Sequence, residues 1–111
     1  PVTSTYTIKI TRQAREQLRN IKNYITNELH APDAAINTIR IIRHEIQNLT
    51  EMPFRIKLTE EEPWRTEGIH QMRVKNYYVY FWIDEENYEV QIIAVIYVAR
   101  DQMTQLNRLF E

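Results

Sequence analysis

Cysteine is absent from the chain, which removes disulfides, thiolate zinc sites and cysteine nucleophiles together. One glycine and four prolines leave no low-complexity or linker-like stretch. No run approaches the ~18 apolar residues that a membrane-spanning helix needs. The opening Pro1-Val2-Thr3-Ser4-Thr5 has neither a basic stretch nor an apolar core, so no signal peptide is expected. These absences point to a cytoplasmic protein with no membrane partner. Neither charge dominates: Lys and Arg number 14 against 15 Asp and Glu. A protein held to its target mainly by phosphate contacts would carry a clear cationic excess.

What is present suits one domain. The 111 residues, 43% of them hydrophobic, suffice for one core and leave no room for a second. Residues 1–111 are therefore read as a single unit. The charge is uneven along it. Residues 1–50 hold seven Lys/Arg against four Asp/Glu, with Arg12, Arg15, Arg19 and Lys22 close together. Residues 51–111 hold seven against eleven, through Glu60-Glu61-Glu62 and Asp84-Glu85-Glu86 among others.

Thr5–Ile10 alternates, with Tyr6, Ile8 and Ile10 on one side, as a half-buried strand does. Thr11 is placed to cap a helix whose apolar stripe runs Ala14, Leu18, Ile21, Ile25 and Leu29. His30-Ala31-Pro32-Asp33 interrupts it. A second stripe runs through Ala35, Ile39, Ile42, Ile46 and Leu49, so Thr11–Leu29 and Pro32–Leu49 are expected to form an antiparallel helical hairpin. Residues 51–67 lack periodicity and read as a long loop, of the kind that is usually functional or mobile. Three strands come next, Ile69–Lys75, Tyr77–Asp84 and Glu89–Val98, rich in β-branched and aromatic residues. Asn76, which tolerates positive φ, suits the first turn and Glu85-Glu86-Asn87 the second. Asp101 is placed to cap a final short helix carrying Met103, Leu106 and Leu109. The order β-α-α-β-β-β-α predicts an α+β domain, a helical hairpin packed on one face of a small antiparallel sheet. Ile21, Ile25, Ile39, Ile42, Val79, Phe81, Ile92 and Ala94 are expected to be buried together.

Alternation sorts the strands into two faces. His70, Met72 and Val74 oppose Gln71, Arg73 and Lys75. Tyr77, Val79, Phe81 and Ile83 oppose Tyr78, Tyr80 and Trp82. Ile92, Ala94 and Ile96 oppose Ile93, Val95 and Tyr97. The helices need one face only. Either the long loop or the final helix covers the other, or Tyr78, Tyr80, Trp82 and Tyr97, rimmed by Arg73 and Lys75, form a partner surface. Trp64 after Pro63 reads as a loop anchor packing on the domain. His30, His44 and His70 have no metal-ligand spacing and read as surface or core-edge residues, and Glu60-Glu61-Glu62 as a solvated loop. No metal and no cofactor is expected.

Four segments carry a resemblance: Met52-Pro53-Phe54-Arg55, Glu62-Pro63-Trp64-Arg65-Thr66-Glu67-Gly68-Ile69-His70, Val74-Lys75-Asn76-Tyr77-Tyr78-Val79-Tyr80-Phe81 and Val95-Ile96-Tyr97-Val98-Ala99-Arg100-Asp101. With Tyr6–Thr11 and Ala34-Ala35, their order and spacing resemble the plasmid-stabilisation branch of the RelE/ParE toxins, from residue 6 to about 108. The resemblance implies the toxin of a bacterial type II toxin–antitoxin system, neutralised by a cognate antitoxin encoded beside it. On that reading Tyr78, Tyr80, Trp82 and Tyr97 are the antitoxin-binding candidates. RelE-like members cut messenger RNA on the ribosome, and ParE-like members poison DNA gyrase.

RelE-type nucleases carry two lysines on the second strand, an arginine early on the third, another after the fourth and a tyrosine in the last helix. Carried over, the lysines fall on Ile69 and Gln71 and the third-strand arginine on Tyr78. The later arginine falls on Ala99 or Arg100, and the tyrosine on Gln105. The chain ends Leu109-Phe110-Glu111 where other nuclease members have a His-Tyr type tail. An endoribonuclease built here would have to use a reduced set, Arg73, Tyr78, Tyr97 and Arg100. The missing side chains, the near-neutral charge and the long hairpin favour a non-enzymatic, ParE-like inhibitor of DNA gyrase over the alternative, a ribosome-dependent mRNA endoribonuclease. A degenerate member that only binds its antitoxin is the third option.

Overall fold

The computed structural model describes residues 5–99. Arg100 and the expected final helix after Asp101 lie outside them. The chain runs β1 (Thr7–Ile10), α1 (Arg12–Asn23), α2 (Pro32–Gln47), β2 (Ile69–Val74), β3 (Tyr77–Asp84) and β4 (Glu89–Tyr97). Thr11 starts α1 as its composition predicts. Its extended backbone turns the hydroxyl onto the first helical turn, where it accepts from Ala14 N at 3.2 Å. The same hydroxyl donates to Ile92 O at 2.9 Å, fixing the start of the helix over the middle of β4. Pro32 opens α2, its fixed φ and missing N–H costing nothing there.

The first helix does not run regularly to Leu29. From Tyr24 to Glu28 it widens to a π-helical turn, closed by Leu29 N donating to Tyr24 O at 3.3 Å. Such a turn carries an extra residue, so it rotates the positions after it out of the stripe. Ile25 stays buried while Leu29 is exposed.

The sheet has the order β1-β4-β3-β2. β2, β3 and β4 form an antiparallel meander, as their short turns require, but β1 lies parallel to β4, so the sheet is mixed rather than antiparallel. No tight turn joins β1 to a neighbour; the hairpin carries the chain away and back, which leaves the direction of the pairing free. The helices cover one face. Ala14, Leu18, Ile42, Ile46 and Leu49 meet Met72, Val74, Val79, Phe81, Ile83, Val90, Ile92 and Val95 in one core, with Ile21 and Ile39 against its edge.

Ala94 belongs to the opposite face. The register of β3 on β4 steps from Tyr80↔Ala94 to Phe81↔Ile92, leaving Ile93 as an extra residue. Beyond this bulge every side chain of β4 changes face. Val95 and Tyr97 therefore turn toward the helices, while Ala94 and Ile96 turn away. In the β2–β3 turn it is Lys75, not Asn76, that takes positive φ (54°).

The long loop is ordered against the sheet. Thr59 N donates to Ile69 O (2.9 Å) and Gln71 N to Lys57 O (3.2 Å), so Leu58 pairs along the outer edge of β2 and blunts it. After a cis Glu62–Pro63 peptide bond the chain turns, and the Glu62 carboxylate accepts from Thr66 N at 3.0 Å. Trp64 then packs over the back of the sheet with Ile69, Tyr80, Ala94 and Ile96. It is the loop anchor expected from Pro63-Trp64. His70 lies on the helix side, stacked on Phe81 at 5.0 Å with its Nδ1 2.7 Å from Ile56 O.

Candidate functional site

The hairpin is longer than the sheet beneath it. Fixed to Ile92 at its start, the first helix runs roughly 25 Å to Glu28, whereas β4 has only five residues left, roughly 16 Å. The overhang leaves a groove of about 980 Å³ between the hairpin tip and the end of the sheet. Ile21, Tyr24 and Leu29 line one wall and Tyr77, Tyr97 and Lys75 the other. The Tyr77 and Tyr97 rings lie 5.6 Å apart. Burial, reinforced by Tyr97 and Tyr24, raises the Tyr77 hydroxyl above its usual pKa, so at neutral pH it stays a donor. Leu29 is 55% exposed and Tyr97 42%, so the groove keeps apolar side chains open to solvent on both walls.

The four residues expected to form one partner surface do not meet. Tyr78 and Tyr80 are neighbours on the back face, 6.2 Å between ring centres, and Trp82 shares that face by alternation. Tyr97 sits on the opposite side, in the groove, because the bulge at Ile93 flips the end of β4. Tyr80 is fully buried under Trp64 and has no surface to offer a partner. Trp82, at 37% exposure, and half-buried Tyr78 remain accessible.

The reduced nuclease set is divided the same way. Arg73 is registered with Tyr78 on the back face, but its Nε donates to Lys75 O at 3.0 Å, and Tyr97 is on the other face. Ile69 and Gln71, where the resemblance puts the RelE-type lysines, lie in this back layer. Ile69 is 3% exposed, and Gln71 Nε2 donates to Tyr80 Oη at 3.0 Å. Burial pushes the Tyr80 hydroxyl up to about 12, opposed by the Gln71 hydrogen bond and reinforced by Glu61 and Tyr78. Such a phenol keeps its proton at neutral pH. Glu61, expected in solvent, is half-buried near Tyr80. Among the described residues no three His, Asp or Glu side chains gather to hold a metal.

Sequence reasoning missed the groove. It placed Tyr77 in the core, Tyr24 nowhere and Leu29 under the stripe. Finding it requires knowing where on β4 the hairpin starts, and the β1–β4 register is set by tertiary packing.

A family model described as "ParE toxin of type II toxin-antitoxin system, parDE" matches residues 8–102. The chain belongs to the ParE toxin family. Among solved structures, the toxin is similar to a chain of the chromosomal ParDE toxin–antitoxin system from P. aeruginosa. The TM-score is 0.71 at 19% identity, over 86% of this chain and 99% of the other. It is also similar to a chain of the RelBE2 toxin–antitoxin complex from Mycobacterium tuberculosis (0.60, 23% identity, 86% and 94%). A third similar structure is a mutant of the E. coli toxin RelE in the free state (0.62, 12% identity, 94% and 97%). At these identities the likeness is one of fold, and it reaches both ParE and RelE. A sequence search of curated proteins gives no match. No described helix is long and apolar enough to cross a membrane.

Proposed function

We propose that this toxin acts by binding rather than by cutting RNA, with DNA gyrase as its target, and that an antitoxin segment seated in the overhang groove neutralises it. The observation that carries the reading is the state of the back face. Where a RelE-type nuclease carries lysines and an arginine, this chain has Ile69, Gln71 and Tyr78, roofed in part by Trp64. In-line attack by a 2′-hydroxyl needs a base, an acid and a cation at the scissile phosphate. Loss of one stabilising donor alone commonly costs about 10²–10³ in rate, and several are missing together.

The groove suits an amphipathic helix or extended segment with apolar anchors, since its walls are aromatic and aliphatic and Lys75 stands at the rim. The family and the toxin–antitoxin complexes among its structural relatives support an antitoxin partner. The test is a supercoiling assay with purified, antitoxin-free protein and DNA gyrase. Inhibition that cognate antitoxin relieves is the expected result. Unimpaired supercoiling at toxin in large molar excess over gyrase rejects the target.

A further inference from the structure

The back face carries a second, smaller hollow, of about 540 Å³, lined by Trp64, Glu67, Ile69, Trp82, Gln91 and Ile93. We infer that it receives an arginine side chain presented by a protein partner. The inference stands apart from the choice of gyrase and from the groove.

The chain's single glycine lies against Trp82 beside the hollow. Gly68 has φ +85°, a conformation open to few other residues, and a Cβ there would stand 3.5 Å from Cδ1 and Nε1 of Trp82. The Trp82 indole thus lies along bare backbone, steadied on that side, while 37% of the residue faces solvent. Trp64 bounds the hollow from the loop, and both tryptophans of the chain line this one place.

The charge around the indoles is negative. Glu67 stands exposed at the rim. On the next row of the same face Asp84 is registered with Glu89, whose carboxylate accepts from Gln91 Nε2 at 2.9 Å. Lys9, registered with Gln91, is the cation of these two rows and is outnumbered by the three carboxylates. Arg65 is drawn off to Thr59 O at 3.4 Å, and Arg73 to Lys75 O.

An exposed indole face beside a carboxylate is the chemistry that a guanidinium satisfies twice. The plane stacks on the ring, and its N–H fork donates to the carboxylate. An ammonium supplies charge without the flat face, and a neutral urea the flat face without charge. The hollow is open on its solvent side. That admits a side chain carried by a polypeptide lying across the sheet.

The test uses the two indoles as reporters. Acetyl-arginine amide, the residue as it stands within a chain, is titrated at low ionic strength against the intrinsic fluorescence of the intact protein. The lysine and citrulline counterparts are titrated alongside. Saturable quenching by the arginine compound is expected, at least fivefold weaker with lysine and absent with citrulline. Glu67→Gln should weaken it at least threefold with unchanged thermal unfolding. Trp82→Phe should keep the response, and Trp82→Ala should remove it while Trp64 still reports. A linear response without saturation overturns the inference, as does an equal response to citrulline or a full response in Trp82→Ala.

Discussion

The two faces of this sheet are closed by different means. On the front, two helices supply regular apolar stripes, and the core beneath them is continuous from Met72 through Phe81 to Ile92. On the back, one irregular loop supplies a single large side chain, Trp64, which buries Tyr80 and Ala94 and leaves Trp82 half open. The front is redundant, many residues each contributing a little. The back depends on one anchor. The difference bears on the proposed function, because the resemblance to RelE-type nucleases puts their cations at Ile69, Gln71 and Tyr78, and here Ile69 is buried in the back-face packing.

If that contrast is right, the largest single loss should come from the anchor. Trp64→Ala should cost about 3–5 kcal/mol, the range for emptying a buried aromatic site, and should expose Tyr80. Chemical denaturation measures the first and near-ultraviolet circular dichroism the second; a loss below ~1 kcal/mol would mean the loop merely rests on the sheet. Ile42→Ala, at a fully buried front position, should cost about 2–5 kcal/mol and toward the lower end, since neighbouring stripe residues help the site to collapse. A front-face loss clearly above that of Trp64→Ala breaks the contrast.

The overhang should respond in the opposite way. Leu29→Ala and Tyr97→Ala remove exposed groups, so stability should move within ~0.5 kcal/mol. Antitoxin affinity should fall by about 2 kcal/mol each if these are anchors. Calorimetry with the cognate antitoxin reads the second quantity; unchanged affinity in both variants moves the antitoxin off the groove.

The smallest effect concerns His70. Burial beside Phe81 lowers its pKa below the usual 6.5, opposed by the hydrogen bond to Ile56 O. The unfolded chain therefore takes up the proton first. The contribution is whole above pH 6.5 and declines as pH falls through the window beneath it. Melting temperature followed from pH 7 to pH 5 should fall, and His70→Gln should flatten part of that slope.

Much of this was legible in the residues. The stripes Ala14–Ile25 and Ala35–Leu49 gave the hairpin because the period of a helix and the burial of one face are local facts. Pro63-Trp64 gave the loop anchor, and the alternation of β2 and β3 gave their faces. What failed lay beyond local reach. The bulge at Ile93 sits in a run, Ile92–Val98, that is apolar on both faces, so alternation carries no mark of a skipped residue there. That one residue put Ala94 on the wrong face and Tyr97 in the wrong site. The parallel pairing of β1 depends on a partner some eighty positions away. The π-helical turn at Tyr24 leaves the apolar spacing intact and shows only as the exposure of Leu29.

Whether this protein cuts RNA separates a binding toxin from a nuclease most directly. Purified, antitoxin-free toxin is added to translating ribosomes, and the messages are mapped by primer extension. Intact messages are the predicted result, because Ile69, Gln71 and Tyr78 offer no cation to the phosphate. Codon-phased cuts that vanish in Arg73→Ala or Arg100→Ala would contradict it and make the toxin a nuclease.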